Sequence, residues 1–245
     1  MNSSGDRVIG RSKNDGISAF TSPDHPMARS PDLFCSVNSL KNTDLIIGVL
    51  ALQGDFDAHR QTLDRLGVRN VPVRKPEELD GIDGLVIPGG ESSTFLKFLE
   101  REGFLNKLRD FVSRKPAFGT CAGAILLAKE VVNPSQPSLG ALDIAIQRNA
   151  YGRQIDSSIM TGTTKLGGDP LEMVFIRAPR IERVGASVQV LAERENHPVL
   201  VRDGQILAAT FHPELSNDLR VHEFFLQMVK EAKSPTSTPQ RDGLN

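Results

Sequence analysis

Cys121 stands between two glycines in residues 115–128, KPAFGTCAGAILLA, and is one of two cysteines in the chain. Pro116, Ala117 and Phe118 read as a short buried strand, and residues 122–129 carry strong helix formers, so the cysteine falls on the turn between them. Gly119 and Gly123 leave room for a tight turn that bulky side chains would block. A thiol placed there projects from the end of a strand, where backbone N–H groups of the next helix can stabilise a thiolate and hold an oxyanion. Taken alone, the motif also fits a small, inert, buried cysteine. Reactivity requires a base from elsewhere in the chain. His212 meets that need: it follows an apolar strand, precedes Pro213 and lies two residues before Glu214. On an extended segment, residues i and i+2 share a face, so Glu214 can accept the imidazole N–H and fix its tautomer. His-Pro-Glu by itself is equally a turn after a strand. Together, Cys121, His212 and Glu214 supply a nucleophile, a base and an orienting carboxylate.

A third group is Pro88-Gly89-Gly90-Glu91-Ser92-Ser93. A glycine pair at a strand end brings bare backbone N–H groups close to a ligand, so Gly89 and Gly90 would complete an oxyanion hole with the N–H of Ala122. A phosphate loop competes for this reading, but neither GxGxxG nor a Walker pattern with its lysine is present. Ser92 and Ser93 also suit a helix N-cap. The other histidines read as solvated or structural: His25 in a polar N-terminal stretch, His59 and His222 on helices, and His197 in a turn before Pro198.

Positioning these groups requires strands that end near one another. Residues 45–52 are almost unbrokenly aliphatic, as in a central parallel strand buried on both faces. Gln53-Gly54 ends that run, and from Asp55 the apolar positions Phe56, Leu63 and Leu66 keep helical spacing until Gly67. Short strands follow at 71–74 and 84–87, then helical patterns at 94–100 and 104–112, then the cysteine turn and its helix. This rhythm predicts a doubly wound α/β sheet with its sites at the carboxyl ends of the strands. The second half predicts strands at 142–146, 172–178 and 187–192, and a hairpin of 199–202 with 205–210 about Asp203-Gly204. Residues 149–169 read as a long polar functional loop. A final helix sets Val221, Phe224, Phe225, Met228 and Val229 on one face as core, with a frayed tail at 234–245.

The 245 residues are 39% hydrophobic and 24% charged, with a formal net charge of −1. This suits a globular protein with a sizeable core and leaves no electrostatic footprint for nucleic acid or an anionic membrane. Cys35 and Cys121 cannot build a disulfide framework, and no Cys/His cluster has metal spacing, so a reducing, cytoplasmic setting without metal or cofactor is expected. No apolar run approaches the ~20 residues that span a bilayer. Residues 1–44 are rich in Ser, Gly and Pro with little apolar periodicity and read as a disordered extension. Asp6, Asp15, Asp24 and Asp32 count against a transit peptide, which is poor in acid.

Six motifs carry a family resemblance: Ala51-Leu52-Gln53-Gly54, Pro88-Gly89-Gly90-Glu91-Ser92, Gly119-Thr120-Cys121-Ala122-Gly123, Arg148-Asn149-Ala150-Tyr151-Gly152-Arg153-Gln154, Phe175-Ile176-Arg177-Ala178-Pro179 and Phe211-His212-Pro213-Glu214. In this order they resemble the glutaminase subunits of pyridoxal 5′-phosphate synthase, a family of class I (triad) glutamine amidotransferases, over roughly residues 45–230. The cysteine turn and His-x-Glu belong to the whole superfamily, whereas ALQG, GGES and RNAYGRQ point to the vitamin B6 branch. The resemblance implies a flavodoxin-like three-layer fold in a domain spanning 45–233. It further implies hydrolysis of L-glutamine to glutamate and ammonia, and delivery of ammonia to a separate synthase subunit that combines it with a pentose phosphate and a triose phosphate. By motif, Cys121 attacks the side-chain amide, His212 shuttles the proton and Glu214 orients the histidine. Gly90, Glu91, Ser92, Arg148, Ile176 and Arg177 would bind glutamine, an arginine fork matching its α-carboxylate. Gln53-Gly54 and residues 149–154 are candidates for the rim facing the synthase subunit. Residues 1–44 are additional to the family pattern, and Ser93 replaces a common threonine. The alternatives are a glutaminase of the superfamily serving another synthase, such as that for imidazole glycerol phosphate, a non-catalytic docking module on the same fold, and a cysteine protease or chaperone of related architecture.

Overall fold

The computed structural model describes residues 41–148, 150 and 157–234. Most of the expected extension, including Cys35, and nearly all of the expected tail lie outside these residues, as do Asn149 and residues 151–154 of the expected rim. A 3-10 turn, Asn42–Asp44, leads into β1 (Ile46–Leu50), α1 (Phe56–Arg65), β2 (Arg69–Val73), β3 (Gly84–Ile87), α2 (Ser92–Arg101), α3 (Phe104–Arg114), β4 (Ala117–Thr120) and α4 (Ala122–Leu127). The chain continues through β5 (Ala128–Val132), β6 (Leu142–Gln147), β7 (Ser157–Gly162), β8 (Leu171–Ile176), β9 (Arg180–Val184), β10 (Gln189–Arg194), β11 (His197–Asp203), β12 (Ile206–Ala209) and α5 (Arg220–Lys233).

The main sheet has the order β10-β11-β12-β4-β3-β1-β2. Strands β2, β1, β3, β4 and β12 are mutually parallel, and β11 and β10 join antiparallel at one edge. Counting only the parallel strands, the order is the 2-1-3-4-5 of flavodoxin-like sheets, which place their ligands at carboxyl strand ends near the switch between β1 and β3. The predicted doubly wound sheet is thus present, and Pro72 lies in the edge strand β2, where a missing N–H costs no ladder bond.

Alternation along the strands feeds two cores. Leu85, Ile87, Ala117 and Ala208 pack under α2, α3 and α4 with Phe95, Phe104 and Leu108. Ile47, Val49, Val86, Phe118 and Leu207 face the other way, under α1 and α5 with Leu63, Val221 and Phe225. Burying the sheet on both faces is what makes its strands read as continuous apolar runs.

The second half departs from expectation in three places. The helix after Cys121 stops at Leu127, because Ala128 enters β5, which pairs parallel with β6. The expected loop at 149–169 contains β7, paired antiparallel along its full length with β8. Strand β9 was not anticipated and closes a small sheet of order β5-β6-β9. The hairpin at Asp203-Gly204 forms as expected, with Gly204 at φ 54°.

Candidate active site

Four strand ends of the main sheet converge: the segment after β1 brings Asp55, that after β3 brings Gly89 to Ser92, that after β4 brings Cys121, and that after β12 brings His212. Cys121 has φ 47° and ψ −102°, a conformation a non-glycine residue adopts only when its surroundings enforce it. The enforcement is local. The Cys121 N–H donates to Ala209 O at 2.9 Å, and Cys121 O accepts from Ile125 N–H at 3.2 Å. A side chain at Gly123 would lie 2.0 Å from Ile87 O, so only glycine lets α4 approach β3 this closely. With six residues, α4 carries little macrodipole, and the first amide N–H groups are what it offers an anion.

His212 Nδ1 donates to Glu214 Oε1 at 2.7 Å, and both residues are buried. The pairing was expected from an extended segment; instead a 3-10 turn, Pro213–Leu215, folds the carboxylate back, closed by Leu215 N–H to His212 O at 3.2 Å. With Nδ1 engaged, Nε2 is left for the thiol. Burial alone would lower the His212 pKa, but Cys121 and Glu214 on either side override it and raise it to about 10. Burial would likewise push the Glu214 carboxyl up, and His59 and His212 beside it bring it below its usual value. The arrangement favours an imidazolium held against the Glu214 carboxylate.

Gly89 presses against this pair: a methyl there would lie 2.5 Å from His212 Cε1 and 3.4 Å from Cys121 Cβ. The α2 N-cap is Glu91 rather than a serine. Its carboxylate accepts from Ser93 N at 3.2 Å and Thr94 N at 2.6 Å, and it pairs with Arg148 at 3.0 Å. Burial opposes ionisation of Glu91, yet the hydrogen bonds from Ser93 and Thr94 hold its pKa down at about 2. Ser92 instead donates to Gln136 Oε1 at 3.1 Å.

These residues surround a cleft of about 220 Å³, below the ~300 Å³ at which drug-sized pockets begin and suited to an amino acid. Gly90, Glu91, Ser92, Cys121, Arg148, Ile176, Arg177 and His212 all line it, so the sequence motifs are brought together. Glu214 is bonded to His212 and Gly89 packs against His212 and Cys121, while Ala122 opens α4 directly after Cys121; none of the three is among the residues lining the cleft. Arg177 is held at φ 45° just after β8. Sequence reasoning missed Asp55, Ile125 and Pro179, which also face the cleft. It also left His59 as an ordinary helical histidine, although its Nε2 lies 3.4 Å from Glu214 Oε2. Asp55, His212 and Glu214 present ligand atoms within 4.8 Å of one another, the one such group among the described residues. His212 and Glu214 Oε1 are already paired with each other, and Asp55 is an exposed residue lining the cleft.

A cysteine on a strand-to-helix elbow, beside a carboxylate-bound histidine at the carboxyl end of a 2-1-3-4-5 sheet, defines the architecture of the class I glutamine amidotransferases. The chain belongs to the SNO glutamine amidotransferase family, whose model it matches over residues 49–231. It is 67% identical over 188 residues to the "Pyridoxal 5'-phosphate synthase subunit PdxT" of Koribacter versatilis (strain Ellin345), covering 77% of this chain and 97% of that protein. The protein of the same name from Thermotoga neapolitana is 50% identical over 186 residues, covering 75% and 99%. A solved structure described as "Crystal structure of glutamine amidotransferase" superposes with a TM-score of 0.71 at 47% identity, covering 75% of this chain and 98% of that one.

Proposed function

We propose that this chain is the glutamine-hydrolysing subunit of a pyridoxal 5′-phosphate synthase, with Cys121, His212 and Glu214 as its catalytic triad. The observation that carries the reading is the buried His212–Glu214 pair held against a cysteine on a strained elbow, inside a cleft of amino-acid size. The Cys121 thiolate attacks the side-chain amide carbon of glutamine, and the carbonyl electrons move to oxygen. Backbone N–H groups of Gly89, Gly90 and Ala122 stabilise that oxyanion. Protonated His212 gives its Nε2 proton to the amide nitrogen, the C–N bond breaks, and ammonia leaves a γ-glutamyl thioester. Water then adds to the thioester, His212 takes its proton, and C–S cleavage releases glutamate and restores the thiolate. Glu214 stabilises the imidazolium before it gives up its proton and again once water has returned one, and holds the neutral ring in place between. Gly90, Glu91, Ser92, Arg148, Ile176 and Arg177 bind the amino-acid end of the substrate. Arg148 is pre-set for this by its bond to Glu91.

The relatives' names, each a synthase subunit, support a partner subunit, and to that partner the ammonia passes. Gln53, which donates to Glu91 O at 3.3 Å, belongs to the rim that faces the synthase and links it to the substrate loop. Residues 45–233 form the working domain, with 1–44 and 234–245 as appendages. A free nucleophilic thiol is preserved in a reducing compartment such as the cytoplasm, the setting proposed here; no helix among the described residues is long and apolar enough to cross a membrane. The test is ammonia release from L-glutamine by the full chain with a pyridoxal phosphate synthase subunit added. Wild type is expected to be active and Cys121→Ala inactive; ammonia release by the folded alanine variant at the wild-type rate would remove Cys121 from the mechanism.

A further inference from the structure

Behind the triad lies a second polar chain, fully buried and unused in the reaction as written. His59 on α1 and His222 on α5 are both 0% exposed, and both rings pack edge-on against Phe118. His59 Nδ1 is 3.0 Å from His222 Nε2, while His59 Nε2 is 3.1 Å from Thr120 Oγ1 and 3.4 Å from Glu214 Oε2. Apart from that imidazole edge, Glu214 Oε2 is buried without a hydrogen-bond partner.

These contacts determine where the protons are. An ionised carboxylate only accepts, so the nitrogen facing Oε2 must carry hydrogen. The opposite tautomer would set two lone pairs against each other where no solvent can relieve them. His59 therefore donates from Nε2, its Nδ1 accepts, and His222 must donate from Nε2. His222 Nδ1, which has no partner, is then a bare lone pair rather than a stranded N–H. The assignment leaves no imidazole N–H of the pair without an acceptor. Burial also depresses the pKa of His59, and it depresses that of His222 to about 3, so both rings stay neutral.

We propose that His59 is a positioning residue for the triad, its Nε2–H edge holding the second oxygen of Glu214 and the hydroxyl of Thr120, the residue before Cys121. His222 locks the tautomer that makes this possible. One imidazole edge thereby ties the orienting carboxylate to the nucleophile elbow, two parts of the site that come from distant stretches of sequence. The inference rests on the triad proposed above.

The test compares His59→Gln with His59→Asn in the full chain. A glutamine amide nitrogen can reach the Nε2 position and donate to Glu214, whereas asparagine reaches only the Nδ1 position. Thermal melts establish that each variant is folded, and His59→Leu serves as the apolar reference. Two readouts are taken: kcat and KM for ammonia release with the synthase subunit present, and the rate of Cys121 alkylation by iodoacetamide without glutamine, followed by peptide mass spectrometry. The proposal expects the asparagine and leucine variants to lose about tenfold in both kcat and alkylation rate at unchanged KM, with glutamine within about threefold of wild type; one hydrogen bond to a buried charge is of this order. Equal losses in glutamine and asparagine variants, or a leucine variant at wild-type rates, would overturn it. If wild type releases no ammonia, the functional reading fails, and the alkylation rates still decide the role of His59.

Discussion

Gly89→Ala tests the site geometry with a single methyl group. That methyl would lie 2.5 Å from His212 Cε1, 3.2 Å from Nδ1 and 3.4 Å from Cys121 Cβ. Carbon contacts settle at about 3.5–4.0 Å, so the imidazole must withdraw by roughly 1 Å. It has little freedom to do so: His212 is 4% exposed, and its Nδ1 is bound to Glu214 at 2.7 Å. The backbone itself accepts alanine, since Gly89 is not among the positive-φ glycines. Overpacking costs about 1–3 kcal/mol, and a displacement near 1 Å at a reacting group lowers turnover by about 100-fold. The variant should fold with a lowered melting temperature, keep its KM within a few-fold, and lose about two orders of magnitude in kcat. Gly81→Ala, where an added Cβ meets nothing within 4 Å, is the matched control and should behave as wild type. Ammonia release at saturating L-glutamine, with the synthase subunit present, measures the effect alongside thermal melts. A folded Gly89→Ala protein with kcat within twofold of wild type would refute the reasoning.

Two further perturbations read charge rather than shape. Glu214→Gln keeps the volume and an acceptor for Nδ1–H but removes the counter-ion of the imidazolium, so kcat and kcat/KM should fall together, by about 10²-fold, with KM nearly constant. Because the His212 pKa in the folded chain is about 10, above its ordinary 6.5, its stabilising contribution is complete below pH 6.5 and lost as pH rises through 10. In Glu214→Gln that loss should begin at lower pH, and melts between pH 7 and 10 would show it; parallel curves for the two proteins would contradict the assignment. Glu91 runs the other way, its pKa of about 2 lying below the ordinary 4.5. Its contribution is complete above pH 4.5 and disappears as pH falls through 2. Glu91→Gln should therefore melt a few degrees below wild type at pH 7 and converge with it near pH 2, while its loosened Arg148 raises the KM for glutamine.

How much was legible in the sequence followed from where the signals lie. Strand β3 was found at its observed bounds because Gly84–Ile87 is buried on both faces and punctuated by Pro88-Gly89. That Cys121, His212 and Glu214 come together was legible because each carries a local signature: glycines around Cys121, and a histidine with a carboxylate two residues on. Strand β7 was hidden because SSIMTG alternates between exposed and half-buried positions in a two-stranded ribbon, with Ile159 70% exposed. No apolar period announces such a strand. The first two residues of β5, Ala128 and Lys129, were read as helix because alanine and lysine favour helices, and the pairing with β6 overrides that propensity. His59 was undetectable for a different reason: its partners Thr120 and His222 are 61 and 163 residues away, and nothing near position 59 signals them.

The strand order has a consequence for the protein during its own synthesis. Strand β12 inserts between β4 and β11, pairing Ala209 with Thr120, so the cysteine elbow acquires its neighbour only when the last strand of the sheet arrives. Until then the Cys121 N–H lacks the Ala209 carbonyl, and the thiol has neither His212 nor Glu214 beside it. Chains leave the ribosome amino end first, and long-range parallel pairings form late. A nascent or prematurely terminated chain therefore exposes an unactivated cysteine, and hydrolytic competence arrives in one late step that coincides with closure of the sheet.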